Sequence, residues 1–311
     1  MRRHLISLAM VACSAALAAQ APVQERGANS LLIDAVAVDS HGMPVMDLKP
    51  AEVEVWISGY RVPIEALTPI TSATDPRSNR LVVLLLDDVT LPPAMVLRVK
   101  EVARRFVTRM SPGDRMAIVT LSGTAETETT DDPARLFRII DRYNVQGGPI
   151  RQDVLVAQVF TTMEAISRQL SESAERRKTI VGIGGAWLLD RPVMPQSVSG
   201  DLRDEWTRAM RAMAYANAAY YVIEPASVGM ATTVGAAGGL AEAAGGYAFL
   251  NRNDLTGTAD QIMREAANYY LIEVADPPIQ RKADLRELQV KSLRRGVSIR
   301  ARHAIPGTPG A

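Results

Sequence analysis

Two adjacent carboxylates, Asp87 and Asp88, follow directly on the apolar run at 81–86 and are the residues best suited to chemistry. Carboxylate oxygens at the end of a buried strand either ligate a hard divalent cation or accept hydrogen bonds from backbone N–H groups of nearby loops. Thr90 adds a hydroxyl, and Asp88 or Thr90 is also suited to capping a helix that begins near Pro93. For Asp87 a metal-binding role and a hydrogen-bonding role both stay open, whereas for Asp88 and Thr90 the hydrogen-bonding role is favoured.

Other catalytic chemistries lack their residues. Outside the first 20 residues the histidines are His41 and His303, and two histidines do not make a His-rich zinc site. The sequence has no Gly-x-Ser-x-Gly nucleophile motif, and its glycine-rich stretches at 182–185 and 235–246 match neither common phosphate-binding pattern. The sequence therefore predicts no catalytic residues and no cofactor.

The segment 80–276 alternates short apolar runs with longer amphipathic stretches. The runs at 81–86 and 179–184 are apolar on both faces, which is typical of central parallel strands. About six alternations of strand and helix predict an α/β domain with a doubly wound, mostly parallel sheet covered by helices on both faces. The run YYLIEVA at 269–275 is predicted to be its last strand. Ligands bind such a sheet beyond the carboxyl ends of its strands, where the strand order reverses.

Residues 28–70 and 284–304 are predicted to form a small β element beside that domain. Residues 53–57 alternate apolar and polar side chains with the period of two that indicates a half-buried strand. The tail is predicted to form a hairpin about 294–296 that packs on the N-terminal element, because neither piece is large enough to be stable alone.

The first 20 residues are predicted to be an export signal outside the fold. Two arginines precede an apolar run at 5–18, and small residues at its end predict cleavage near Ala18 or Gln20. The run is too short to predict a transmembrane helix, so the mature chain is expected to be periplasmic or secreted. The single cysteine, Cys13, leaves a lipid anchor as an alternative.

The order of these segments resembles a von Willebrand factor type A (VWA) domain, and most closely the VWFA-related domain family of Acidobacteria and neighbouring soil bacteria. The stretches that carry the resemblance are 39–67, 81–90, 241–255, 267–278 and 287–305. Together they span nearly all of residues 30–304. The resemblance implies a crevice between the strands at 81–86 and 179–184, with a metal-ion-dependent adhesion site (MIDAS) inside it.

Most metal ligands of that family site are replaced in this sequence. The first loop, Asp-x-Ser-x-Ser in the family, here has Asp87, Val89 and Leu91, so that hydrocarbon replaces two hydroxyl ligands. The second loop has Pro149 in place of threonine, and the third has Gly184–Gly185 in place of Asp-Gly. Because one side-chain ligand remains and Mg²⁺ gives up its water reluctantly, a degenerate, metal-free site is predicted.

Without a metal, the rim of the crevice is predicted to bind a protein partner by shape and apolar contact. The predicted binding residues are Asp87, Asp88, Thr90, Arg151, Asp153, Gly184, Gly185 and Trp187. Trp187 belongs to an apolar loop at 184–197 that forms either a lid over the sheet or a contact patch, since Trp and Met are favoured in such patches. Nucleic acid is not expected as the partner, because 35 basic residues are balanced by 34 acidic ones.

Two other functions remain open. One is a metal-dependent adhesion module in which Asp87, Asp88 and Thr90 bind Mg²⁺ or Ca²⁺ weakly with the help of backbone oxygens. The other is a hydrolytic enzyme on an α/β scaffold, which the sequence disfavours because it offers no nucleophile–base pair. The sequence identifies neither the partner nor the oligomeric state.

Overall fold

The structure is a computed structural model that describes residues 30–71, 79–123, 128–146, 148, 151–175, 177–185, 200–225, 238–275 and 285–307. The predicted export signal, Cys13 and the loop around Trp187 lie outside these ranges. The described residues form thirteen strands and six α-helices. None of these helices combines the length and the apolarity that crossing a bilayer requires.

Five parallel strands form a central sheet in the order β6-β5-β7-β8-β9. They are β5 (Arg80–Leu86), β6 (Arg115–Thr120), β7 (Arg177–Ile183), β8 (Ala218–Ile223) and β9 (Ala248–Phe249). Every residue of β5, β7 and β8 is buried, as expected for strands with helices on both faces. The predicted doubly wound α/β fold is confirmed.

Six helices cover the two faces of this sheet. One layer contains α1 (Val96–Thr108), α2 (Pro133–Arg142) and α6 (Leu255–Ala267), and the other contains α3 (Gln152–Ser171), α4 (Gly200–Ala216) and α5 (Gly238–Ala243). Alternate residues of β5 face different layers: Val82 and Leu84 pack against the first, and Leu81 and Val83 against the second. This two-sided packing is why the strand is apolar throughout.

The remaining strands form two antiparallel sheets that share one core and are called here the antiparallel unit. Their orders are β12-β1-β10-β4 and β13-β11-β2-β3. The strands are β1 (Ser30–Val38), β2 (Val53–Ile57), β3 (Tyr60–Val62), β4 (Ile64–Thr71), β10 (Asn268–Ala275), β11 (Leu285–Ser292), β12 (Ser298–Ala301) and β13 (Ala304–Pro306). Ile33, Val55, Ile272 and Leu288 contribute to the shared core, so strands from both ends of the chain build one unit.

The prediction that 269–275 is the last strand of the parallel sheet is wrong. β10 pairs antiparallel with β1 and β4 and belongs to the antiparallel unit. Its burial alternates, because Tyr270, Ile272 and Val274 are buried whereas Glu273 is partly exposed. One-sided burial suits an antiparallel sheet, while a strand inside the parallel sheet would be covered on both faces.

The predicted tail hairpin is also wrong as a pairing. The turn at 294–296 is present, and Gly296 adopts the left-handed φ of +74°. However, β11 pairs with β2 and β13, whereas β12 pairs with β1. Residues 293–297 therefore carry the chain from one antiparallel sheet to the other, a crossover that local turn residues do not distinguish from a hairpin.

Arg294, in the first position of this turn, fastens the tail to the N-terminal strands. It donates hydrogen bonds to both carboxylate oxygens of Glu52, at 2.8 and 2.7 Å, and to Asp47 Oδ1 at 2.6 Å. The Lys49 backbone N–H adds a further bond to Glu52. Arg294, and then Lys49, lower the pKa of Glu52 from 4.5 to about 2.

This pair predicts a specific acid dependence. Because the pKa of Glu52 is depressed in the folded state, its contribution to stability is present above pH 4.5 and is lost as the pH falls towards 2. An Arg294→Gln variant is therefore expected to be less stable than wild type at neutral pH, with a difference that closes across this window. Urea unfolding midpoints of both proteins at a series of pH values measure this stability difference. A stability difference that stays constant down to pH 2 would show that Arg294 does not lower the pKa of Glu52.

Candidate functional site

Asp87 lies where the strand order of the parallel sheet reverses. The chain passes from β5 to β6 on one side and then to β7 on the other, so a crevice opens beyond the carboxyl ends of β5 and β7. Asp87 is the first residue after β5, and its backbone N donates to the carbonyl of Ile183, the last residue of β7, at 3.0 Å. Asp87 and Asp88 are both fully buried.

The Asp87 carboxylate closes the turn that follows β5. Its Oδ1 accepts hydrogen bonds from the backbone N–H groups of Val89 (3.1 Å) and Thr90 (2.8 Å), and its Oδ2 accepts one from the Thr90 hydroxyl. Neither Asp88 nor Thr90 caps α1, whose N-terminus has no side-chain cap. Both oxygens of Asp87 thus accept hydrogen bonds within its own turn.

Asp88 ties the same turn to the two neighbouring segments. Its Oδ1 accepts the backbone N–H of Ser122 at 2.9 Å, and its Oδ2 accepts the Ser122 hydroxyl. Its backbone carbonyl accepts the N–H of Gln146 at 2.6 Å. The carboxylate therefore holds the end of β5 against the loop after β6.

Tyr143, the residue that follows α2, donates its hydroxyl to the Asp87 backbone carbonyl at 2.6 Å. Burial, and after it the charges of Asp87 and Asp88, raise the pKa of this hydroxyl well above its usual value of 10. The phenol stays protonated at neutral pH and acts as a fixed hydrogen-bond donor.

Asp87 occupies the space beside the first residue of the glycine pair that follows β7. Gly184 has φ +145°, and a Cβ placed on it would lie 2.1 Å from the Cβ of Asp87. A Cβ on Gly185 would lie 3.8 Å from Thr90 Oγ1, an ordinary contact. At position 184 the aspartate of the family pattern would collide with Asp87, which is a physical reason for glycine there.

Arg151 and Asp153 lie at the start of α3, and both are exposed. Gln158, further along α3, donates to the Leu121 carbonyl at the end of β6 at 2.6 Å, which places this half of the helix at the crevice edge. Arg151 Nε donates to Asp153 Oδ1 at 3.1 Å, and this hydrogen bond lowers the pKa of Asp153. The two residues thus form an ion pair on the rim. The other described residues of the predicted set meet inside the crevice: Asp87, Asp88, Thr90, Gly184 and Gly185. Trp187 and Pro149 lie outside the described residues.

The sequence interpretation missed three residues that contact Asp87 or Asp88: Ser122, Tyr143 and Gln146. Ser122 comes just after β6. The rule that ligands meet the carboxyl ends of parallel strands would have found it. Tyr143 and Gln146 follow a helix and have no local signal.

The Asp88 contacts predict a structural effect that needs no metal. Asp88→Ala removes the acceptor of the Ser122 N–H and hydroxyl in a buried setting, and should lower the free energy of unfolding by about 2 kcal/mol. Urea unfolding measures the loss, with the exposed Asp153→Ala as a matched control expected to cost under about 1 kcal/mol. The difference in free energy of unfolding between wild type and Asp88→Ala should be the same in EDTA and in millimolar Mg²⁺. A difference confined to Mg²⁺ would instead assign Asp88 to metal binding.

No protein-family profile and no curated protein matches the sequence. Several solved structures are similar to the chain at low identity. An aerotolerance-related membrane protein from Bacteroides fragilis shares 11% identity over 60% of this chain and 98% of that one, with a TM-score of 0.39. BatB from Bacteroides thetaiotaomicron shares 13% over 60% and 99%, with a TM-score of 0.39. Manganese-loaded TRAP from Plasmodium vivax shares 11% over 76% and 96%, with a TM-score of 0.39.

Because these TM-scores are below 0.5, the fold assignment rests on the topology itself. The first strand of the parallel sheet is internal, its carboxyl end carries Asp87, and the crevice lies between β5 and β7. The crevice between these two strands, with Asp87 beside it, is what the resemblance implied. The chain therefore has the doubly wound α/β fold that the resemblance to a von Willebrand factor type A domain implied, extended by an antiparallel unit built from both ends of the chain.

Proposed function

We propose that the chain is an exported protein-interaction module of the VWFA-related type, which binds a partner at the crevice rim without a bridging metal. The observation that carries the proposal is the state of the two crevice carboxylates. All four of their oxygens accept hydrogen bonds from neighbouring N–H or O–H groups. A divalent cation would have to displace these donors and find further oxygen ligands.

The side chains present fit a tightly held cation poorly. In the described residues, no group of three or more His, Cys, Asp or Glu is arranged to hold a metal. Gly184 has no room for an added carboxylate, because its Cβ would meet Asp87. This supports a degenerate MIDAS in which Asp87 and Asp88 shape the crevice loops.

Exposed apolar side chains around the crevice support a protein partner. Leu97 at the start of α1 is 78% exposed, and Val154 at the start of α3 is 48% exposed. The starts of these helices lie at the carboxyl edge of the sheet, as the crossover connections require. Apolar and arginine side chains at such a rim, here with Arg151, are suited to protein recognition.

A rim docking site predicts a selective loss of binding. Leu97→Ser and Val154→Ser combined should reduce partner recovery from an extract of the expressing cells at least about fivefold, since each change removes an exposed apolar contact. Tyr215→Ser is the matched control, because Tyr215 is 54% exposed at the other end of α4, far from the crevice. Quantitative mass spectrometry compares the three proteins. Equal recovery by the rim variant and wild type removes the proposed surface.

A metal-dependent adhesion module is the second candidate, favoured by one observation. Two hydroxyls, Thr90 and Ser122, lie within hydrogen-bond reach of Asp87 and Asp88 respectively, so that each carboxylate has a second side-chain oxygen beside it. Titration calorimetry with Mg²⁺, Mn²⁺ and Ca²⁺ separates the candidates. The metal-free proposal expects no binding heat and an unchanged unfolding temperature, whereas heat with a raised temperature establishes the second candidate.

Export and the lack of catalysis belong to the same proposal. The first 20 residues support export, and N-terminal sequencing of the mature protein distinguishes cleavage near Ala18 or Gln20 from a chain that begins at a lipidated Cys13. The protonated Tyr143 and the hydrogen-bonded carboxylates form no nucleophile–base pair. We therefore assign the crevice a binding role.

A further inference from the structure

The two helix layers of the α/β domain carry opposite net charge, although the whole chain has a formal net charge of +1. The helices α1, α2 and α6 have eight basic and four acidic side chains, a net charge of +4. The layer of α3, α4 and α5 has four basic and six acidic side chains, a net charge of −2. Folding thus concentrates positive charge on one side of the sheet.

The positive layer presents a continuous surface because α1 and α2 lie side by side. Lys100 Nζ donates to the Asp141 backbone carbonyl at 2.8 Å, and Arg104 pairs with the Asp141 carboxylate. Arg138 and Arg142, one turn apart on α2, are exposed, and neither has an ion-pair partner in the described part of the chain. Lys100, Arg104, Arg138 and Arg142 are called here the arginine face. Asp141 is the acid paired within it.

We propose that the arginine face is a docking surface for an acidic segment of a partner protein. Seven of the eight basic residues in these three helices are arginine, whose planar guanidinium binds carboxylates in bidentate geometry. The layer already binds one carboxylate in this way. Arg109 and Arg105 hold Asp260 through four N–O contacts of 2.6 to 2.9 Å and lower the pKa of its carboxyl far below the usual value.

An acidic protein fits this surface better than a membrane or a nucleic acid. A helix that lies in a membrane interface buries a broad apolar face, whereas the exposed side of α1 has Leu97 as its large apolar residue among charges. A nucleic acid would need a longer basic surface than these four side chains around Asp141 provide. The surface lies on the outside of α1 and α2, and its assignment does not depend on the crevice.

Fluorescence anisotropy of a labelled glutamate-rich peptide with the full chain tests the proposal. A peptide of about 10 residues is long enough, since an extended chain of that length spans more than a 13-residue helix. Arg138→Gln with Arg142→Gln should weaken binding about fivefold or more, because two unpaired cations are lost. Arg203→Gln with Arg208→Gln on α4 makes the same charge change on the other layer and should leave affinity unchanged. Raising the salt from about 50 to 200 mM should weaken wild-type binding.

Each outcome decides the proposal. Selective weakening by the α2 double variant, with an unchanged unfolding temperature, supports it. Equal weakening by both double variants reduces the effect to net charge and overturns it, as does the absence of salt-dependent peptide binding. Binding to phosphatidylserine-containing vesicles or to duplex DNA, with no binding of the peptide, also overturns it and reassigns the arginine face to lipid or nucleic-acid phosphates.

Discussion

Replacing Gly184 by alanine is expected to lower the free energy of unfolding by about 4 kcal/mol. Gly184 has φ +145°, a conformation that a residue with a Cβ rarely adopts, and the new Cβ would lie 2.1 Å from the Cβ of Asp87. Asp87 cannot move aside easily, because it is fully buried and its carboxylate and backbone are hydrogen-bonded on both sides. Strain and overpacking therefore act at the same point.

Gly185→Ala is the matched control for this change. Its Cβ would have 3.8 Å to Thr90 Oγ1, so the variant should stay within about 1 kcal/mol of wild type. Urea unfolding followed by circular dichroism gives the free energy of unfolding of both variants, each of which adds one methyl group to the same loop. Similar decreases in the free energy of unfolding for the two variants would show that Gly184 and Asp87 are not packed as described. A side-chain metal ligand at position 184 would then be sterically possible.

Replacing Arg300 by methionine is also expected to cost about 4 kcal/mol, because it leaves a buried carboxylate without its cation. Glu265 has no exposed surface, and Arg300 Nη1 lies 2.7 Å from both of its oxygens. The carboxylate also accepts hydrogen bonds from Tyr221 (3.0 Å) and Gln261 (3.0 Å). Arg300 belongs to β12 and Glu265 to α6, so the loss falls on the junction between the antiparallel unit and the α/β domain.

An exposed pair provides the control for this junction. Arg104→Met removes the partner of Asp141, whose side chain is 56% exposed, and should cost under about 1 kcal/mol. The double variant Arg300→Met, Glu265→Gln should recover part of the loss of Arg300→Met, because no buried charge then remains. A cost below about 1 kcal/mol for Arg300→Met, or no recovery in the double variant, would contradict the role of the pair.

The fold of the parallel sheet could be predicted because its signal is local. Residues 81–86 and 179–184 are apolar on both faces, and such runs between amphipathic helices have few alternatives to a doubly wound sheet. The same reasoning misplaced 269–275. A dense apolar run hides the alternation of burial that marks an antiparallel strand, and the choice of sheet depends on β1 and β4, which lie far away in the sequence.

The candidate site, too, could be predicted only in part. Asp87 and Asp88 could be singled out from their position after a strand, but their partners could not. Ser122 is 34 residues from Asp88, and Tyr143 is 56 residues from Asp87. A local pattern does not decide whether Asp87 is a metal ligand or a hydrogen-bond acceptor. That choice depends on the donors that the folded chain places around it.

The parallel strands, the helices between them and the residue at the end of β5 could be predicted from local patterns, because periodicity and strand ends are properties of neighbouring residues. Three features became visible in the folded chain alone: β10 joins the antiparallel unit, Asp87 fills the space beside Gly184, and basic residues from three helices lie on one side of the sheet. These outcomes depend on distances between segments far apart in the chain, which are set by packing in three dimensions.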